Sequence, residues 1–263
     1  MGRMLLFGLL LLGGSLVASR ALVLTRLEYV LGFVAASGVF LLVFVRTEVG
    51  LYLALLSMLL SPEFVLGGGG ALAERRELIL RAEDLLLMVI ALSWLAKTAV
   101  NKELGLVLKT PLNLPILVYL LTHLVATLVG YLTGTVKGAS GFFYVLKYLE
   151  YFFVYFMVVN NVRDRAQAWR FTLVAFLTAA VVSLIGIAQI PSGQRVSAPF
   201  EGEEGEPNTF GGYLLFMMAL AAGLALESPH LRTRGWALGM LGLMAVPFLF
   251  TLSRASYLGV VPL

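Results

Sequence analysis

The sequence predicts an all-α protein built as a polytopic bundle of transmembrane helices. Hydrophobic residues make up 60% of its 263 positions and charged residues 13%, whereas an ordinary soluble domain has about 45–50% and about 25%. A soluble fold of this length has no core large enough to bury so much apolar surface. The apolar stretches continue for about 15–20 residues without alternating, which is typical of helices and not of barrel strands. Helices also pair their own backbone groups in lipid.

Nine complete spans and the start of a tenth are predicted. Only Arg46, Thr47 and Glu48 separate the second span from the third, which predicts a tight helical hairpin there. The first span follows Arg3 and is expected to be retained, because further spans follow at once. The nine predicted spans cover 4–18, 29–45, 49–60, 85–100, 112–132, 142–159, 171–190, 210–226 and 235–252.

The apolar run near Tyr257 is too short to cross a bilayer of about 30 Å before the sequence ends. We therefore expect residues 1–263 to form a single transmembrane domain that is truncated at its C-terminus, with an outer loop and the remaining spans missing. In the long connection 61–84, the stretch ERRELILRAED predicts a short amphipathic helix at the outer surface. We expect the GGGG run at 67–70 to be a flexible connector.

The distribution of lysine and arginine predicts a cytoplasmic N-terminus. With that orientation, the connections 61–84, 133–141 and 191–209 face outward and hold nine acidic residues. Arg20, Arg26 and the three arginines of 61–84 count against this orientation. The cytoplasmic connections hold nine basic residues, namely Arg46, Lys97, Lys102, Lys109, Arg163, Arg165, Arg170, Arg232 and Arg234.

Several classes of function have no support in the sequence. The absence of cysteine excludes disulfides, thiolate catalysis and cysteine metal sites, and His123 and His230 are too few for a histidine-built metal site. No phosphate-binding loop, dinucleotide fingerprint or HExxH motif occurs. The net charge of +4 reflects basic cytoplasmic loops and is no evidence for nucleic acid. We predict no metal and no cofactor.

Two arginines follow spans at the same predicted interface. Arg195 comes just after the seventh span, and Arg254 just after the ninth. Guanidinium groups stay charged and match phosphate oxygens bidentately, so the pair can form a phosphate or pyrophosphate site. The alternative is that both arginines are interfacial anchors whose side chains reach toward headgroups.

Polar and small residues open the span that lies between these arginines. Asn208 and Thr209 are good N-cap residues for it. Gly211 and Gly212 allow a close approach of backbone or of a lipid chain. A helix start here points its positive dipole end toward the interface, which favours an anion, although an ordinary capped helix explains the same residues.

The sixth predicted span contains two charged residues. Lys147 and Glu150 have the i, i+3 spacing at which side chains touch on one helix face. Such an intramembrane pair is either functional or a structural element that neutralises itself. We expect His123, in the fifth span, to be a hydrogen-bonded core histidine, and His230 to be solvated.

Four stretches of the chain together form a recognisable pattern. They are RAEDLLLMVIALSWL at 81–95, LKYLEYFFVYFMVVNNV at 146–162, GIAQIPSGQRVSAPFEGEEGEPNTFGGYL at 186–214 and FTLSRASYLG at 250–259. In these stretches the chain resembles the superfamily of O-antigen ligases and O-antigen polymerases. The resemblance covers the chain from about residue 60 onward, and the last two stretches are the more specific.

The resemblance implies a glycan transferase of the bacterial cytoplasmic (inner) membrane, with its active face periplasmic or external. It implies that Arg195 and Arg254 hold the pyrophosphate of an undecaprenyl-pyrophosphate-linked glycan donor. Ser253 would help to position Arg254, and Asn208 would be a structural cap near the site. The resemblance also implies that the general base is a histidine in a large external loop beyond this sequence. Neither His123 nor His230 matches the position of that histidine.

The sequence leaves four functions open. The first is a ligase that moves a finished polysaccharide to an acceptor such as lipid A-core in lipopolysaccharide biosynthesis. Close alternatives are a polymerase that uses the growing glycan as acceptor and a transferase that uses a protein. A secondary transporter coupled through Lys147 and Glu150 belongs to a different class. Paired broken helices, which are typical of many transporters, are not evident.

Overall fold

The computed structural model describes residues 27–66, 78–101, 109–136, 140–200 and 205–260. Nine α-helices lie in these residues, with a short 3₁₀ turn at Ile190–Ser192. The helices are α1 Leu27–Val45, α2 Thr47–Ser57, α3 Ala82–Val100, α4 Asn113–Leu132, α5 Ser140–Asn161, α6 Arg165–Gln189, α7 Pro207–Glu227, α8 Leu231–Phe250 and α9 Arg254–Leu258.

Each predicted span from residue 29 onward coincides with a helix, and the first predicted span, 4–18, lies outside the described residues. Among the described residues, four helical segments are long and apolar enough to cross a membrane, which agrees with a helical membrane protein. They are Asn113–Leu132, Arg165–Ser192, Pro207–Glu227 and Leu231–Phe250. The full number of nine spans and the start of a tenth stays a prediction.

The helical hairpin predicted for the second and third spans is confirmed. Arg46 alone separates α1 from α2, and the two helices pack against each other. The ammonium group of Lys97, on α3, donates hydrogen bonds to the Val45 carbonyl at 3.0 Å and to the Thr47 hydroxyl at 3.3 Å. A cation at the last carbonyls of α1 is favoured by the helix dipole, so this contact stabilises the turn.

The helical fold class is confirmed over the described residues, and a small antiparallel ribbon precedes α3. Strand β1 (Glu63–Leu66) pairs with β2 (Leu78–Arg81), and Glu63 lies opposite Arg81. The amphipathic helix predicted from ERRELILRAED is therefore wrong over 78–81, and residues 74–77 of that stretch lie outside the described residues. The apolar residues of 78–80 find β-forming partners in Phe64 and Val65, and this pairing prevails over local helix propensity.

Two groups of buried side chains hold the helices together. The larger group joins α6, α7, α8 and the segment after the 3₁₀ turn, and its fully buried members include Phe176, Val196, Phe210 and Met244. The smaller joins α1, α2, α3 and α5 around Ile90. Helix α4 has no buried residue and packs on α5.

His123 is not the core histidine that the sequence predicts. It lies on the poorly covered helix α4 and is half-buried. Its Nδ1 is hydrogen-bonded to the carbonyl of Tyr119 at 2.8 Å, and its ring packs against Tyr119 and Tyr148. The hydrogen bond agrees with the prediction, but the position on a poorly covered helix does not, because the sequence does not show how few neighbours α4 has.

Two adjacent glycines of α7 differ in what surrounds them. A Cβ on Gly211 would lie 2.6 Å from the hydroxyl oxygen of Ser256 and 3.2 Å from that of Thr251, whereas a Cβ on Gly212 would meet nothing within 4 Å. We expect Gly211→Ala to lower the free energy of unfolding by about 1–3 kcal/mol through overpacking. Gly212→Ala is the matched control and should be neutral or slightly stabilising, because alanine favours the helix.

Denaturation of both variants in mixed micelles measures this difference. Equal unfolding free energies for the two alanine variants would contradict the close packing of α7 against the turn that follows α8.

Candidate functional site

Arg195 lies in a segment that is fastened to the end of α8. The chain leaves α6 through the 3₁₀ turn and through Gly193, whose φ of +72° lies in the left-handed region that glycine favours. The backbone amide of Val196 then donates a hydrogen bond of 3.0 Å to the carbonyl of Phe250. Because Val196 is also fully buried, the backbone on the C-terminal side of Arg195 is held in place.

The guanidinium of Arg195 binds three neutral oxygen atoms. Its Nε donates to the Thr251 carbonyl at 2.9 Å, and its Nη2 donates to the Leu252 carbonyl and to the Asn208 side-chain oxygen, both at 3.3 Å. None of these oxygens carries a formal charge, so the three contacts do not neutralise the charge of the guanidinium group. The contacts orient the planar group while the residue stays exposed.

Arg254 is the first residue of α9, directly after the buried cap of that helix. The Ser253 hydroxyl oxygen accepts hydrogen bonds from the backbone amide of Ser256 at 3.3 Å and from its hydroxyl at 2.9 Å. Ser253 has no solvent exposure, whereas Arg254 is exposed. Leu252 has a φ of +49°, a costly left-handed conformation for a leucine. Ser253 therefore fixes the backbone that presents Arg254.

The structure corrects the role predicted for Asn208. Helix α7 begins at Pro207, its N-cap is Glu206, and Asn208 is already inside the first turn. Proline suits this first position because its missing amide has no partner there anyway. The Thr209 hydroxyl donates to the Glu206 carboxylate at 2.8 Å. Asn208 is thus free of capping, and its side-chain oxygen accepts from Arg195 instead.

Arg195 and Arg254 lie at one end of the bundle without a carboxylate partner among the described residues. Arg195 contacts the carbonyls of Thr251 and Leu252, and Arg254 is the second residue after Leu252 in the sequence. The Glu206 carboxylate, which is near Asn208 in sequence, faces Arg81 at 3.8 Å instead. Two exposed guanidinium groups with little neutralisation are an arrangement that attracts an anion with several oxygens.

Lys147 has a different ion-pair partner from the one that its spacing predicts. Its Nζ lies 3.0 Å from the Oδ2 atom of Asp84, on α3, and Glu150 lies beside this pair. Asp84 is 5% exposed and also accepts a 2.8 Å hydrogen bond from the backbone amide of Arg81. The i, i+3 pair is thus replaced by a bond between helices, because α3 starts three residues earlier than predicted.

Sequence reasoning missed Asp84, Arg81 and the backbone carbonyls that orient Arg195. Asp84 had a usable signal, since acidic residues are enriched in the first helical turn and Glu83 and Asp84 stand directly before the apolar run. The carbonyls of Thr251 and Leu252 had no such signal in the sequence, because their position depends on the left-handed backbone of Leu252. Within the described ranges, no group of three or more metal-ligating side chains is present.

The described residues form a largely helical protein that is compatible with a membrane and carries two exposed arginines near the end of α8. Comparisons of the chain with protein-family models, with curated proteins and with solved structures give no match.

Proposed function

We propose that the chain is part of a membrane glycan transferase whose donor is a glycan linked to undecaprenyl pyrophosphate. The observation that carries this proposal is the pair Arg195 and Arg254, which are both exposed near the end of α8 and have no carboxylate partner in the described part of the chain. A pyrophosphate supplies the charge and the oxygen atoms that two guanidinium groups need. The start of α7, which carries Asn208, adds a dipole that favours an anion.

The proposed reaction is an inverting transfer. An acceptor hydroxyl attacks the anomeric carbon of the donor, the bond from that carbon to the pyrophosphate oxygen breaks, and undecaprenyl pyrophosphate leaves. Arg195 and Arg254 stabilise the charge that develops on the leaving group, which is the main way in which such a site accelerates the reaction. The acceptor proton goes to a general base, which the resemblance places in an external loop.

The proposed orientation follows from the loop charges. Connections rich in lysine and arginine face the cytoplasm, so the end of the bundle with Arg195 and Arg254 faces the periplasm or exterior. In the structure, Arg170 and Glu48 form an ion pair of 3.1 Å near the ends of α6 and α2 that lie away from Arg195. The proposed location is the bacterial cytoplasmic membrane, with multiple spans and a cytoplasmic N-terminus.

The proposed acceptor is lipid A-core, as for a ligase. The test is a transfer assay in membrane vesicles that contain the full-length protein and donor, with lipid A-core or lipid-linked repeat units as acceptor. Transfer to lipid A-core supports the ligase, and chain extension alone supports the polymerase. No transfer to either acceptor would contradict both the ligase and the polymerase. A transferase with a protein acceptor and a transporter would then be the remaining functions.

Arg254→Ala in the same assay isolates the role of the positive charge. Arg254 has no hydrogen-bond or ion-pair partner within the described residues, so its replacement should leave the unfolding free energy within about 0.5 kcal/mol of the wild type. We nevertheless expect transfer to fall by about a hundredfold or more, as when one stabilising donor is removed from an active site. A variant that retains wild-type transfer would contradict the assignment of Arg254.

A further inference from the structure

A cavity of about 540 Å³ lies between α2, α3, α5, α6 and α7, apart from Arg195 and Arg254. We call it the interhelical cavity. Its volume is within the range of about 300–1,000 Å³ that is common for sites of small molecules. Neither Arg195 nor Arg254 lines it, although Thr209, which follows Asn208 on α7, does.

The walls of the interhelical cavity are apolar over most of its length. They are formed by Leu51 and Leu55 of α2, Leu87 of α3, Val154 of α5 and Phe171 of α6. On α5 the lining continues from Tyr151 to Val158, which corresponds to roughly 10 Å along the helix axis. An apolar space that runs along the helices in this way can take a hydrocarbon chain.

One part of the interhelical cavity is polar and acidic. Glu83 and Asp84 from the first turn of α3 line it, together with the hydroxyl-bearing residues Tyr151, Thr209 and Tyr213. Among the described residues, no lysine, arginine or histidine belongs to the lining. The cations that approach these acids, Arg81 at 3.8 Å from Glu83 and Lys147 at 3.0 Å from Asp84, come from outside the cavity wall.

We infer that the interhelical cavity binds a single-chain lipid whose head donates hydrogen bonds and carries no negative charge, as in a long-chain alcohol or amine. Carboxylates accept hydrogen bonds from such a head and repel a phosphate. The acidic part of the interhelical cavity disfavours a phosphate, whereas the site of Arg195 and Arg254 favours one. The two sites therefore differ in the charge of the ligand that they bind. The inference does not depend on the proposed transfer reaction.

The head, and not the chain, is expected to decide which lipid is bound. In a bilayer the chain is already surrounded by apolar groups, so its entry into an apolar cavity gains little from the hydrophobic effect. A hydrogen bond to an ionised carboxylate is stronger than one between neutral groups and is worth roughly a tenfold change in affinity. Binding should therefore change with the head at constant chain length.

Photocrosslinking in phosphatidylcholine vesicles tests the inference on the full-length protein. Three probes with the same diazirine-bearing chain carry a hydroxyl, an ammonium or a phosphate head. We expect the alcohol or the amine to label residues of α2 and α5 in the cavity wall, with at least about tenfold less labelling by the phosphate. Preferential labelling by the phosphate probe, or equal labelling by all three, would overturn the inference.

Neighbouring leucines of α2 provide a matched pair of variants. Leu55 lines the interhelical cavity, whereas Leu56 is 38% exposed on the outside of the bundle. Leu55→Trp should fill the cavity and reduce labelling at least about tenfold, and Leu56→Trp should leave it unchanged. Equal labelling of the two variants would contradict binding in the cavity.

Glu83→Gln keeps the shape of the cavity and removes one charge, which covers the case in which Leu55→Trp does not fold. We expect this variant to lose preference for the amine over the phosphate by roughly tenfold. An unchanged preference would overturn the assignment of the acidic part as the head site. Because only binding is measured, these results are independent of whether glycan transfer occurs.

Discussion

Arg195→Ala in the full-length protein is expected to reduce glycan transfer by about a hundredfold to a thousandfold. The guanidinium uses two of its nitrogens to hold the Thr251 and Leu252 carbonyls and Asn208, and in the proposed reaction its remaining donor capacity and its charge stabilise the leaving pyrophosphate. Arg195→Lys should also be poor, since one ammonium cannot reproduce a planar fork that contacts two carbonyls and a phosphate together. The measurement is the initial transfer rate in vesicles.

A suitable control is Arg165→Ala. Arg165 is an exposed arginine at the start of α6, whereas Arg195 follows the other end of the same helix. It should transfer glycan at the wild-type rate. Arg195 also contributes hydrogen bonds to the fold, each worth about 1 kcal/mol, so rates are compared per amount of folded protein. If Arg195→Ala and Arg195→Lys both retained wild-type transfer, the arginine pair would be reduced to interfacial anchors.

Lys147→Met is expected to destabilise the protein by about 3–5 kcal/mol, because it leaves the nearly buried carboxylate of Asp84 without its cation. The protein contains its own comparison. Arg170 and Glu48 form an ion pair of similar length, 3.1 Å, but with side chains that are 53% and 35% exposed. Arg170→Met should therefore cost only about 0–1 kcal/mol. Unfolding in mixed micelles measures both values.

The double variant Lys147→Met/Asp84→Asn distinguishes an ion pair from simple packing. Asparagine keeps an oxygen that accepts from the Arg81 amide, while the uncompensated charge disappears. The double variant should thus be clearly more stable than Lys147→Met alone. If the second substitution instead added its own loss, the pair would contribute to stability through something other than charge compensation.

The same pair bears on the transporter alternative. Glu150 lies beside Asp84 and Lys147, so three ionisable groups meet where α3 and α5 pack. A coupling role predicts that Glu150→Gln abolishes proton-coupled uptake by vesicles. The structural role predicts that Glu150→Gln leaves transfer unchanged, since neither Arg195 nor Arg254 contacts it in the described residues. Loss of proton-coupled uptake in Glu150→Gln would favour transport over the proposed transfer.

Helix positions were predictable because they depend on local sequence. The long apolar runs bury their backbone groups only as helices. Helices α4, α5, α7 and α8 begin and end within four residues of the predicted boundaries, whereas α6 begins six residues earlier than predicted. The location of Arg195 and Arg254 at one end was predictable for a similar reason. Two antiparallel helices, α7 and α8, lie between them, so the chain returns to the end from which it left.

The contacts of the site depend on tertiary structure, because residues distant in sequence compete for the same partners. Lys147 had Glu150 three residues away on its own helix, but the packing of α3 against α5 gives it Asp84. Asn208 matches a cap by residue type, yet Pro207 starts the helix and turns Asn208 toward Arg195. Likewise, Gly211 differs from Gly212 only because Thr251 and Ser256, which follow α8, lie close to Gly211.

By itself, the sequence determined a helical class compatible with a membrane, the order of the helices and the end of the bundle at which the arginines lie, since these follow from hydrophobicity and from chain direction. The three-dimensional packing alone decided which oxygen atoms hold Arg195, which acid pairs with Lys147, and that five helices leave an apolar cavity with an acidic part. These features arise where helices from different parts of the chain meet, and no local pattern of residues determines how side chains fill the space between them.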